Sequence, residues 1–409
     1  MFRRNKIYWV FSSFFFFYFF SFSSSMSLFG IWLGQAGGLD GTGKGIVFAI
    51  NSIGALCIHP IYGFISDKIG LKKHLLSVII GLLILAGPFF QFIYSPLLAY
   101  NIYIGAIVGS IYLGAAFTSG NAAVETFIEK IGRKYSFEYG ESRMFGSLGW
   151  AVATFFAGQT FNINPNLNFW VCSGSAVILA VLLFMSKVER SDSNINLTAQ
   201  EDSSKVEPFS FKEVVKLVRS GKFWSFVMYI LGITCIFTVY DQQFPVYFAS
   251  LFDSPETGNR MYGYLNSIQV FFEAAFMFMA PVIVNRIGAK KGLLLAGLLM
   301  FTRITCSGLA DGIPMAVAAT KLIHSLEVPV MFISIFKYIR VNFDARVTST
   351  MYLVGYQFSG ALGAAVISPI AGRLYDVIGF SQTYLWLGAY VLLFTVISMF
   401  TLRNTNKLS

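Results

Sequence analysis

Charge is what this sequence lacks most. Only 12% of its residues are Asp, Glu, Lys or Arg, about half the share of an ordinary soluble domain. That is too little to cover the water-facing surface of a globular chain of 409 residues. Cysteine is sparse as well. Cys57, Cys172, Cys235 and Cys306 all lie in apolar stretches, without the spacing of a disulfide framework or a zinc site. No Gly-x4-Gly-Lys-Ser/Thr segment occurs, so the phosphate-cradling loop of an ATP-driven machine is excluded.

What the chain has instead is long apolar runs. Apolar residues make up 56%, including 44 Phe. Runs of about 20 apolar residues, enough to span a bilayer, fall near 7–33, 46–65, 75–95, 102–127, 141–161, 168–186, 223–247, 262–284, 292–308, 313–336, 348–371 and 383–402. These twelve runs predict an all-α membrane protein. The first follows Phe2-Arg3-Arg4-Asn5-Lys6 in the manner of a signal peptide, but it is too long for one and is expected to be an uncleaved helix.

The basic residues sort by side. Of 30 Lys and Arg, 24 fall in the termini and the even-to-odd connections, and only Lys44, Arg260 and Arg373 fall in the others. Arg143, Arg303 and Lys321 lie within spans. The positive-inside rule then puts both termini in the cytoplasm. The net charge of +10 is thereby read as a topology signal, and nucleic acid is not expected as a partner.

The polar stretch near 187–212, rich in Ser, Asp, Glu and Asn, reads as a flexible connection between two halves. The expected organisation is a six-helix bundle over 1–186, a linker over 187–221 and a second six-helix bundle over 222–409. A repeated loop supports the duplication. Asp67-Lys68-Ile69-Gly70-Leu71-Lys72-Lys73 follows the second span, and Asn285-Arg286-Ile287-Gly288-Ala289-Lys290-Lys291 follows the eighth. Gly63, Asp67, Gly70, Lys72 and Lys73 are the residues expected to act in this loop. Internal repeats of this kind are typical of secondary transporters that rock around a central site.

Ionisable groups inside a bilayer cost several kcal/mol and point to function. Lys321, His324 and Glu327 recur three apart in the tenth span, with Arg303 in the ninth and Asp241, followed by Gln242 and Gln243, in the seventh. A buried carboxyl beside an imidazole and a guanidinium suits a proton carrier. In the fourth span Thr118, Asn121 and Glu125 form one stripe, and the fifth places Arg143 and Trp150 on one face. An acid, a guanidinium and an indole can bracket the hydroxyls and C–H face of a sugar. Tyr262, Asn266, Gln269 and Glu273 form a third polar stripe, which should line an aqueous cavity rather than face lipid. Structural ion pairs and helix–helix hydrogen bonds are the alternative for each cluster.

These residues carry a family resemblance. The runs Phe14-Phe15-Phe16-Phe17-Tyr18-Phe19-Phe20, Ser66-Asp67-Lys68-Ile69-Gly70-Leu71-Lys72-Lys73, Phe137-Glu138-Tyr139-Gly140 and Lys321-Leu322-Ile323-His324-Ser325-Leu326-Glu327-Val328-Pro329 resemble, nearly end to end, the oligosaccharide:proton symporters of the major facilitator superfamily, the lactose and sucrose permease group. The resemblance implies a multi-pass protein of the bacterial inner membrane, working as a monomer on a disaccharide and a proton, with no cofactor, metal or catalytic residue. It implies sugar binding by Glu125, Arg143 and Trp150, with Asn121, Asn266, Gln269 and Glu273 around them. It implies a proton on Glu327, with Arg303, His324, Lys321 and Asp241 in the coupling network. Two departures narrow the sugar. The charged pair of lactose permeases between spans seven and eleven is replaced by Thr238 and Gly360, and Val270 stands where they carry a sugar-binding Glu. The segment Tyr262–Ala274 resembles sucrose permeases, whereas Glu125 and Trp150 resemble the lactose branch. Sucrose is the expected substrate, with galactosides second. A passive sugar channel and a membrane-embedded enzyme are the rival readings; the buried His324 and Glu327 oppose the first, and the absence of a nucleophile–base or metal set opposes the second.

Overall fold

A chain this apolar must satisfy its backbone hydrogen bonds internally, and helices do so within one segment. The computed structural model describes residues 6–69, 73–135, 137, 139–186, 219–344, 347–348 and 351–403. Most of the expected linker falls outside these residues, as do Gly70, Lys72 and the side chain of Asp67 in the loop motif.

The helices of the first half are α1 (Lys6–Gln35), α2 (Gly41–Ile69), α3 (74–100), α4 (102–135), α5 (Tyr139–Ile163) and α6 (Leu167–Met185). Those of the second are α7 (Gly221–Ser250), α8 (Pro255–Ile287), α9 (Ala289–Leu309), α10 (Pro314–Asn342), α11 (351–378) and α12 (380–401). Among the described residues nine helices are long and apolar enough to cross a membrane, or ten with α3, which bends by 47° near Leu85, taken as one span. Two spans escape that measure for physical reasons. α5 holds Glu141, Arg143, Gln159 and Asn162 and is too polar. α11 and α12 run together as one helical stretch, interrupted only at Gly379, whose φ of 79° and ψ of 169° suit glycine alone. With both included, the fold has the expected twelve.

Side-chain size decides which helices approach. The Phe-rich face of α1 buries Phe11, Phe14, Phe15, Tyr18 and Phe19 within the first half. Ser21, Ser24 and Ser27 donate to carbonyls one turn back in α1, and Ser23 Oγ donates across the contact to the Trp150 carbonyl at 3.0 Å. Such small polar residues let membrane helices pack closely.

The two halves meet along α2 with α11 and α5 with α8, and their tightest approaches lie on the side away from the termini. There Gly372 packs on the Gly41 backbone and Gly158 on the Asn259 backbone, with no room for a Cβ at either glycine. A hydrogen-bonded clasp completes this seam. Asp376, in the last turn of α11 beyond its apolar run, accepts from the Gly41 and Thr42 backbone N–H groups at 2.7 Å each and from the Thr42 hydroxyl at 2.6 Å. A carboxylate from one half thus caps the N-terminus of a helix in the other, where the helix dipole favours it. On the α5–α8 edge Asn259 exchanges hydrogen bonds with Gln35 and reaches Asn162. On the terminus side, by contrast, Gly63 and Gly140 face open space.

Candidate functional site

Between the halves lies a cavity of about 380 Å³, within the range of small-molecule sites. Its wall takes Phe19 and Trp150 from the first half, with Arg143 and Ser147. From the second half it takes Asp241, Gln242, Tyr262, Asn266, Gln269, Val270, Glu273, Lys321 and His324. All four residues of the α8 stripe are on this wall.

The first-half cluster is half exposed. Arg143 Nε donates to Glu125 Oε1 at 2.9 Å, and the two side chains are 31% and 30% exposed. Nη1 points to Ser147 Oγ at 3.4 Å. The guanidinium lies over the Phe19 ring, 4.0 Å from its centre. Trp150 packs against Phe22 at 5.1 Å. Asn121 and Glu125 do not reach the cavity wall, and the Asn121 side-chain oxygen is buried without a hydrogen-bond partner in the structure. Glu125 meets the cavity lining through its ion pair with Arg143.

The second-half cluster is drier. Arg303 and Glu327 are fully buried and joined by two hydrogen bonds, Nε to Oε2 at 2.7 Å and Nη2 to Oε1 at 3.2 Å. Such a fork-to-fork bridge is the strongest arrangement the two groups can make. Arg303 Nη1 also reaches Asp241 Oδ1 at 3.0 Å, and Lys321 Nζ reaches the same oxygen at 3.0 Å. His324 Nδ1 lies 3.4 Å from Asp241 Oδ2 and its ring stacks on Phe237. Helical spacing puts His324 beside both Lys321 and Glu327 on one face of α10. The structure makes Asp241 the shared partner instead, because α7 inserts it between α9 and α10. Asp241, Lys321 and His324 line the cavity, while Arg303 and Glu327 lie one layer behind.

On α8, Gln269 Nε2 donates to Glu273 Oε2 at 2.7 Å, one helical turn along the cavity wall. Asn266 Nδ2 donates to Thr154 Oγ1 at 3.1 Å, across to α5. Val270 lies on the same wall.

The LacY proton/sugar symporter model matches residues 1–409 of the chain. The chain belongs to that family. It is 43% identical to the lactose permease of Klebsiella oxytoca over 94% of this chain and 92% of the relative. It is 42% identical to the raffinose permease of Escherichia coli over 98% and 94%. With the sucrose permease of Escherichia coli it shares 37% over 99% and 95%. Among solved structures, a variant of the nucleoside transporter NupG superposes with a TM-score of 0.81 at 12% identity, covering 97% of this chain and all of that one. That likeness carries the fold alone.

As a member of the LacY symporter family the chain is a multi-pass proton/sugar transporter and not an enzyme. The wall residue Ser147 is not singled out in the sequence, Gln242 stands out only beside Asp241, and Phe19 only within an aromatic run. Only the packing of α1 on α5, and of α7 beside α1, brings them to the cavity.

Proposed function

We propose that this symporter carries a sucrose-type sugar together with a proton into the cytoplasm, by alternating access across the bacterial inner membrane. The termini then lie in the cytoplasm, in keeping with the basic loops on their side, and the structure corresponds to a state closed outward along the glycine seam. Two six-helix halves rock about the cavity. In this reading Arg143, oriented by Glu125, and Trp150 hold one sugar ring, while Asn266, Gln269 and Glu273 hold the other. Glu327 carries the proton. Once neutral, it no longer bridges Arg303, whose guanidinium keeps Asp241 as its partner, so no buried cation is left unpaired. When Glu327 loses its proton, Arg303 receives the carboxylate again.

The observation that carries the sugar assignment is the α8 register. Val270 and Glu273 differ by roughly 60° around the helix and one turn along it, so the carboxylate meets a different hydroxyl from that met by a Glu at 270. A site built for particular hydroxyls discriminates strongly against sugars that leave its groups unpaired. A galactoside reading is favoured by a separate observation, the Glu125–Arg143–Trp150 arrangement, together with the higher identity to lactose and raffinose permeases. Uptake of labelled sucrose, lactose, melibiose and raffinose, with and without a protonophore, separates the two. Protonophore-sensitive uptake of sucrose ahead of lactose and melibiose is expected. Good lactose uptake with poor sucrose uptake would give the site to galactosides.

A further inference from the structure

The Phe-rich run of α1 has so far served only as packing. Two of its neighbourhood's rings do more. Phe19 is 4% exposed, lies on the cavity wall, and faces the Arg143 guanidinium at 4.0 Å. Phe22, one turn on, faces Trp150 at 5.1 Å with an interplanar angle of 37°. The two rings stack on one another at 6.4 Å, and Phe117 braces Phe22 edge-on at 5.5 Å. Ser23, next in sequence, holds the Trp150 carbonyl.

We propose that Phe19 and Phe22 form an aromatic ledge that sets the plane of the Arg143 guanidinium and the tilt of the Trp150 ring, making them positioning residues for sugar binding. The inference rests on the reading of Arg143 and Trp150 as sugar contacts. Glu125 cannot do this alone. It grips the guanidinium at Nε by a single short hydrogen bond, which fixes a point and leaves the plane free to turn. The Ser147 contact, at 3.4 Å, is long and weak. A ring face beneath a cation restricts the remaining freedom, since attraction is greatest with the guanidinium over the ring. Gly146 makes room for the pair. A Cβ there would stand 2.6 Å from the Phe19 ring and 3.2 Å from Arg143 Nη1.

Loss of a cation–π contact at a partly desolvated site corresponds to about three- to thirtyfold in affinity. The test measures KM and Vmax for exchange in membrane vesicles, using whichever of sucrose, lactose, melibiose and raffinose wild type carries best, with membrane protein quantified. Phe19→Leu should raise KM about tenfold with Vmax within twofold of wild type. Phe19→Tyr, which keeps the ring face, should restore KM to within about threefold. Gly146→Ala should raise KM in the same direction. A wild-type KM in Phe19→Leu overturns the proposal, as does equal impairment of the Leu and Tyr variants. Should Phe19→Leu fail to reach the membrane, Gly146→Ala decides: a raised KM supports the ledge and an unchanged KM overturns it. Arg143→Ala is run in parallel. Normal exchange by that variant removes the binding reading itself, whereas its failure beside a normal Phe19→Leu removes the ledge alone.

Discussion

At the scale of single residues, the two ion clusters differ in exposure, and their consequences differ with it. Arg303 and Glu327 are sealed from solvent, so removing the carboxylate charge alters the coupling network more than the cavity wall. Glu327→Gln should abolish uphill accumulation, bringing the internal-to-external sugar ratio to about one, while leaving exchange intact, because exchange needs no net proton release. Unimpaired accumulation in that variant would remove Glu327 from coupling. Arg143 is half exposed on the cavity wall. Arg143→Ala should eliminate even downhill flux, since truncating one partner of a hydrogen-bonded charge pair costs about 2–5 kcal/mol. Saturable transport with near-normal affinity would demote the pair to a structural bridge. These residues stood out in the sequence because a charge inside an apolar run is conspicuous. The position of Asp241 as hub did not, since helical spacing reports neighbours on one helix and says nothing of a carboxylate inserted from another. Asn121 shares a helical stripe with Glu125 and does not line the cavity.

At the scale of elements, most spans were readable as apolar runs of the right length, and α5 was placed in spite of its polarity. What could not be read is which helix ends touch. Nothing near Asp376 in the sequence marks it as the cap of α2, 334 residues away. The clasp has a pH dependence. Burial tends to raise the Asp376 pKa, but the Thr42 hydroxyl and the Thr42 and Gly41 N–H groups outweigh that, holding it below the ordinary value. A carboxyl with a depressed value stabilises the closed seam at pH above its undocked value, about 3.9, and that stabilisation is lost as pH falls through the depressed one. Acid should therefore loosen this edge of the seam in wild type, and Asp376→Asn should loosen it at neutral pH and flatten the acid response. Cross-linking between cysteines placed on the facing ends of α2 and α11, outside Gly41, Thr42 and Asp376, would read the effect; an acid response unchanged by Asp376→Asn would assign it to another group.

At the scale of the whole molecule, the seam is backbone against backbone, which makes closure intolerant of bulk. Gly372→Leu cannot fit against Gly41 and should hold the side away from the termini open. Sugar binding should persist, transport should fall by at least about tenfold, and a membrane-impermeant thiol reagent applied from that side should reach a cysteine placed at Ser27 on the cavity wall. Continued protection of that cysteine would mean that the seam relaxes elsewhere.

The basic flank of the terminus side has a consequence in terms of lipid. Arg286, Lys290 and Lys291 cluster around the positive-φ turn at Gly288 that joins α8 to α9, and Lys73 and Lys222 lie on the same flank. Each such cation near anionic headgroups contributes about 1 kcal/mol at most, so several together bias which leaflet this flank occupies. Vesicles rich in phosphatidylglycerol should therefore insert the protein with one prevailing orientation, and purely zwitterionic vesicles should scramble it. Labelling of a cysteine placed at the exposed Asn285 by a membrane-impermeant reagent from outside sealed vesicles reads the ratio. Lipid composition then helps to set how this transporter faces across its membrane.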